Sequence, residues 1–250
     1  MAVEIDPNFP YGLDRPRQAR GAAGLGMALG VATLIVAILP GELFGPRGVL
    51  VLLLLLSCVT TFIVAAGLFR TSASKKVQAA DRLLDGLGLR GDEQALDLGC
   101  GNGLLCAGLA VRLPRGHVTG VDAWVEHQLL PTSRAHAKRT LTLAGVKGVT
   151  VLTGSVRDLP LGDAAVDLAV SRDTLSLLPS NAARDEAVAE LARVVRPGGR
   201  VALLEPFGTA TLARSLTEAG FTAVERSGRW WSVMPPHRLV TAVRSPDGGA

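Results

Sequence analysis

The sequence predicts an α/β domain on a doubly wound, mostly parallel sheet of seven strands, preceded by a transmembrane hairpin of two helices. Three observations predict it. Short apolar runs alternate with helical stretches from residue 75 to residue 244, the pattern of a parallel sheet covered by helices. A glycine-rich turn, Gly99-Cys100-Gly101-Asn102-Gly103, closes the first of those runs. Two long stretches without a charged residue come before them.

The hairpin is read first. Gly21 to Gly41 carries no charge, and a helix over 21–39 is roughly 28 Å long, about the thickness of a bilayer's hydrocarbon core. After a link with Glu42, Gly45, Pro46 and Arg47, a second uncharged run covers 48–69. In lipid each backbone polar group must be satisfied within its own segment, so both runs read as helices. A cleavable signal peptide or buried core helices are the alternatives. The first run is long for a signal sequence, and no small-residue cleavage pattern precedes the second. Arg15, Arg17 and Arg20 flank the pair on one side and Arg70, Lys75 and Lys76 on the other, against Arg47 alone in the link. That bias puts both termini, and the domain that follows, in the cytoplasm. Gly26 and Gly30, four apart, let another helix approach closely, either the second span or a second copy of the chain in a homodimer.

The domain organisation is therefore an N-terminal segment 1–20, the hairpin 21–69 and a globular domain 75–244. Lys75–Leu87 has an apolar stripe and leads the domain off the membrane. Strands are expected at 94–98, 117–121, 149–153, 166–170, 200–204, 222–227 and 238–244, with helices over 103–113, 126–144, 181–195 and 209–219.

Composition narrows the function. Hydrophobic residues make up 48% of the 250, which is apolar for a soluble enzyme, and the net charge is only +4. Lys and Arg are scattered among acids, so nucleic acid is not the implied partner. Cys58, Cys100 and Cys106 are too few for a disulfide framework, and no Cys/His cluster has metal-ligand spacing. His117, His127, His136 and His237 are dispersed and read as structural or exposed. Trp230 and Trp231 stand between the last two strands, where they would wall an apolar pocket, rest on a bilayer surface or pack a hairpin.

The chemistry gathers at the strand ends. A strand running through Asp97 into the glycine turn and then a helix offers main-chain N–H groups to a ligand in the crevice. The spacing is G-x-G-x-G, whereas a dinucleotide site asks for G-x-G-x-x-G. Asp122, at the end of the next strand and before Ala123, suits the two hydroxyls of a ribose, or caps the helix that follows. A nucleoside ligand follows from the pair, with a nicotinamide-dependent reductase as one reading.

Three stretches carry a resemblance: LDLGCGNG at 96–103, GSVRDLPLGDAAVDLAVS at 154–171 and ELARVVRPGGRVALLE at 190–205. They resemble the class I S-adenosylmethionine-dependent methyltransferases, in particular the group of ubiquinone and menaquinone methylases. Tyr11-Gly12-Leu13-Asp14 before the paired apolar runs is similar to a membrane-anchored subset. The resemblance implies that Asp97, Gly99, Cys100, Gly101 and Gly103 hold the methionine end of S-adenosylmethionine. Asp122 and Ala123 would take the ribose, and Ser155 and Val156 the adenine. Relatives often carry an acid where Ser155 stands, and a hydroxyl accepts more weakly than a carboxylate. Ser171, counted with the cofactor-binding residues, opens the loop facing the acceptor, and Asp173 is the nearest candidate for a general base there; a salt bridge with Arg172 or Arg184 is its alternative. The implied activity is methyl transfer to a small acceptor, lipid-like or quinone-like given the hairpin. A tethered protein that binds the cofactor without turnover is the rival that Ser155 suggests.

Overall fold

The computed structural model describes residues 16–38, 45–70, 75–124, 133–233 and 235–246. Tyr11–Asp14, residues 71–74 between the hairpin and the domain, and the first part of the helix expected over 126–144 lie outside the described residues. Two N-terminal helices, α1 (Pro16–Ile38) and α2 (Pro46–Arg70), are each long and apolar enough to cross a membrane. They pack on each other at their glycines. The Phe62 ring lies 3.1 Å from where a Cβ on Gly26 would stand, Cys58 Sγ lies 3.5 Å from the same point on Gly30, and Cys58 Sγ donates to the Gly26 carbonyl at 3.2 Å. The small-residue face is thus filled from within the hairpin.

The remaining elements form the α/β domain. In chain order these are α3 (Lys76–Asp85), β1 (Gln94–Leu98), α4 (Leu104–Arg112), β2 (His117–Asp122), α5 (Arg134–Leu143), β3 (Val149–Thr153) and β4 (Val166–Arg172), then α6 (Asn181–Val194), β5 (Val195–Glu205), α7 (Thr209–Glu218), β6 (Phe221–Arg226) and β7 (Arg238–Arg244). The sheet runs β3-β2-β1-β4-β5-β7-β6, parallel from β3 to β5, with β7 antiparallel to both of its neighbours. A dinucleotide-binding sheet of order 3-2-1-4-5-6 has no strand inserted after the fifth.

Side chains alternate between the two faces of each strand. Ala95, Val118, Leu168, Val170, Ala202 and Leu204 point to a core shared with α3, α4 and α5. Leu96, Leu98, Val121, Ala169, Val201 and Leu203 point to one shared with α6 and α7. Arg112 of α4 reaches Asp81 and Asp85 of α3, both at 2.7 Å, and clamps α3 to the domain.

The fifth strand departs from expectation. It starts at Val195, not Arg200, because Val195 pairs with Val166 before the register shifts and Pro197-Gly198-Gly199 bulges out. Gly198 has φ +76, and a Cβ on Gly199 would stand 2.8 Å from the Arg196 carbonyl oxygen, so the turn tolerates little but glycine.

Candidate active site

The strand order reverses between β1 and β4, and at such a switch point the loops beyond the carboxyl ends diverge and leave a crevice. A cleft of about 640 Å³ lies there. Its walls include Asp97 and the turn Gly99 to Asn102, Asp122 and Ala123 after β2, Ser155 to Arg157 after β3, and Arg172 to Thr174 after β4. Of the residues expected at the site, Asp97, Gly99, Cys100, Gly101, Asp122, Ala123, Ser155, Val156 and Asp173 line this cleft. Gly103 and Ser171 do not. Gly103 is the N-cap of α4, with Leu141 packed 3.1 Å from where its Cβ would be, and Ser171 is fully buried within β4.

The turn is shaped by its glycines. Gly99 (φ +74) would drive a Cβ to 2.2 Å from Thr174 Oγ1, which itself donates to the Leu98 carbonyl at 3.0 Å. Gly101 (φ +50) has nothing within 4 Å of its Cβ position, so the main chain faces open cleft. The Asp122 carboxylate accepts from Gly101 N at 2.9 Å and Trp124 N at 2.8 Å, tying the turn to the end of β2. It does not cap α5; Ser133 does, accepting from His136 N. Trp124 (φ +54) was not singled out in the sequence, yet its indole N–H donates to Thr153 Oγ1 at 3.0 Å and braces this corner.

Asp97 is 1% exposed, and its Oδ2 accepts from Cys106 N at 3.0 Å and Cys106 Sγ at 3.2 Å. Burial pushes its pKa up to about 7, against the pull of those two donors. A buried carboxyl group lining the cleft, with only two neutral donors on it, suits a cationic group of a ligand. Ser155 Oγ is engaged in its own turn, accepting from Arg157 N at 3.1 Å.

Asp173 holds a left-handed backbone (φ +58) and meets two partners. Its Oδ2 pairs with Arg172 at 2.9 Å, as one sequence reading expected, while Arg184 turns instead to Leu175 O and Asn181. Its Oδ1 lies 2.6 Å from His237 Nε2. His237 is 2% exposed, the structural and not the exposed one of its two sequence readings, and it also lines the cleft, which the sequence did not signal. The antiparallel β7 starts at the edge where β4 and β5 end, so it delivers His237 to Asp173 across 64 residues of chain. His237 Nδ1 donates to the Pro235 carbonyl at 2.7 Å, since a carbonyl can only accept, and this sets the ring so that Nε2 faces the carboxylate.

Glu205 is a further residue missed in the sequence. Fully buried at the end of β5, it accepts from Thr174 N, Leu175 N and Ser176 N at 3.0 to 3.1 Å, fixing the loop after β4. Burial raises its pKa as well. The signal was an acid ending the apolar run Val201–Leu204.

The inserted antiparallel strand, the glycine turn at the switch point and Asp122 on the adjoining strand define an α/β domain with a ligand-sized cleft whose sheet is not of the dinucleotide type. Residues 96–203 match the methyltransferase domain family. An uncharacterized 37.1 kDa protein of a Streptomyces fradiae transposon is 38% identical over 125 residues, covering 50% of this chain and 33% of its own length. The ubiquinone/menaquinone biosynthesis C-methyltransferase of Rubrivivax gelatinosus is 34% identical over 145 residues, 57% of this chain and 51% of that protein. Among solved structures, a SAM dependent methyltransferase from Aquifex aeolicus superposes with a TM-score of 0.53 at 21% identity, covering 66% of this chain and 88% of the other. Over residues 96–203 the α/β domain is similar to the methyltransferase domain family and its fold is that of the solved S-adenosylmethionine-dependent methyltransferase, a likeness that implies S-adenosylmethionine as cofactor. The chain spans about half or less of the length of these two curated relatives. The residues present fit the cofactor: an open main-chain cradle at Gly101, a buried carboxylate at Asp97 and a cleft within the usual range for small ligands.

Proposed function

We propose that the chain is a membrane-anchored methyltransferase that passes the methyl group of S-adenosylmethionine to a small lipophilic acceptor. The observation that carries this reading is the cleft at the β1/β4 switch point, lined by Asp97, Gly101, Asp122 and Asp173. Asp97 and Gly99 to Gly101 hold the methionine end, Asp122 the ribose hydroxyls, and Ser155 with Val156 the adenine. When bound, the cofactor supplies an already activated methyl group, so the protein mainly aligns the partners and excludes water. Asp173, fixed by Arg172 and His237 in the cleft wall, orients an acceptor hydroxyl or amine and receives its proton.

The anchor rests on α1 and α2, and the flanking basic residues put both termini and the domain in the cytoplasm. A relative named for ubiquinone and menaquinone biosynthesis supports a quinone-like acceptor. The test is calorimetry of the full chain in detergent micelles with S-adenosylmethionine and S-adenosylhomocysteine. Saturable binding of both is expected. A folded protein that takes up neither overturns the reading, and binding without transfer of labelled methyl to any lipid or quinone extract turns it into a tethered binding protein.

A further inference from the structure

Large apolar side chains stand exposed at the cleft end of the domain. Leu177 after β4 (72% exposed) and Phe207 after β5 (64%) line the cleft itself. Trp231 (67% exposed) lies on the connection between β6 and β7, which supplies Pro235 and His237 to the same cleft. Elsewhere in the described part of the domain, the sole comparably exposed large apolar side chain is Leu143, at the end of α5. Exposed aromatic and aliphatic side chains gathered on three neighbouring loops mark a surface meant to be covered.

Chain connectivity says what covers it. Lys76, the first residue of α3, lines the cleft, and α2 ends at Arg70. Six peptide steps separate Arg70 from Lys76, so the cleft wall lies at most about 20 Å from the end of the second apolar helix, whatever path the chain takes. The same helix α3 also holds the Trp loop: Arg82 stacks on the Trp230 ring at 4.4 Å, and Val77, Leu83 and Leu84 share a core with Trp230 and Val233. The loop carrying Trp231 is therefore built directly on the element nearest the anchor. Arg229, exposed and 6.0 Å from the Trp231 ring, and exposed Lys75 add cations of the kind that sit well against anionic headgroups.

We infer that Leu177, Phe207 and Trp231 form a docking rim that inserts into the headgroup layer, so that the cleft opens on the bilayer and takes its acceptor from the lipid phase. This rests on the anchored-methyltransferase reading and deepens it: the substrate class is a membrane-dissolved molecule delivered from the leaflet, not a water-soluble one captured near it.

The test uses the full chain reconstituted in phosphatidylcholine/phosphatidylglycerol vesicles, with brominated phosphatidylcholine as the tryptophan quencher. Brominated lipid is expected to quench the wild type, Trp231→Phe to lose most of that quenching, and Trp124→Phe to keep it. Leu177→Trp placed in the Trp231→Phe background is expected to restore it. Equal quenching of the wild type and Trp231→Phe, with no gain from Leu177→Trp, overturns the docking rim. A carbonate wash of the same vesicles and calorimetry with S-adenosylhomocysteine separate the failures. Protein released by the wash refutes the anchor and the rim with it. Protein retained and binding S-adenosylhomocysteine, but unquenched, refutes the rim alone.

Discussion

Asp97 is the side chain whose surroundings most constrain the chemistry. With its pKa pushed up to about 7 by burial, it binds a proton more tightly folded than unfolded. Its contribution to stability is therefore full below the unfolded value near 3.8 and is lost as pH rises through about 7. Two outcomes follow. The unliganded protein should melt at a lower temperature at pH 8 than at pH 6, and Asp97→Asn should flatten that slope. S-adenosylhomocysteine, whose ammonium group favours the carboxylate, should bind up to about tenfold tighter at pH 8 than at pH 6 in the wild type, and weakly and without that dependence in Asp97→Asn. Calorimetry across the pH range reads both binding limbs. The glycine turn was legible because local spacing carries it, and Asp97 through the resemblance carried by the stretch 96–103. The Asp173–His237 contact was not, since nothing in either neighbourhood signals a partner 64 residues away.

At the scale of single elements, the loop after β4 is held by Glu205. Removing the carboxylate in Glu205→Ala leaves the buried Leu175 N–H and the half-buried Thr174 and Ser176 N–H groups without their acceptor, a loss of about 3–5 kcal/mol. Glu205→Gln keeps one accepting oxygen and should cost about half as much. Urea unfolding checks the order wild type, Gln, Ala. In the hairpin, Gly26→Leu should weaken the packing of α1 on α2 by about 1–3 kcal/mol, because Phe62 already occupies the space, whereas Gly24→Leu meets nothing within 4 Å and should be silent. An SDS titration followed by helical content separates the two. Element positions were legible wherever apolar periodicity was strong, as for β1, β3 and β7, whose observed bounds are those expected. The start of β5 was not, because a bulge lets a strand pass through Pro-Gly-Gly, residues that in sequence read only as a turn.

For the whole molecule, the alternation of strands and helices announced a parallel sheet, and length and apolarity announced two helices able to cross a membrane. The direction and place of β7 were beyond that pattern. A strand's apolar rhythm is the same in either direction, and only long-range pairing puts the last strand between the fifth and the sixth. That placement orders events during synthesis. The edge of β5 gains its second neighbour only when Arg238–Arg244 has been made, and β6, which pairs with no other strand, waits for it too. Until then the nascent chain carries β5 with one open edge and β6 with no partner, both open to other extended chains. A chain stopped after residue 236 should therefore lose two strands at once and His237 with them, and should collect in aggregates even with every cofactor-facing glycine in place. Pelleting of the truncated chain after detergent extraction, beside a soluble full-length control, measures how far the last strand acts as the latch of the whole domain.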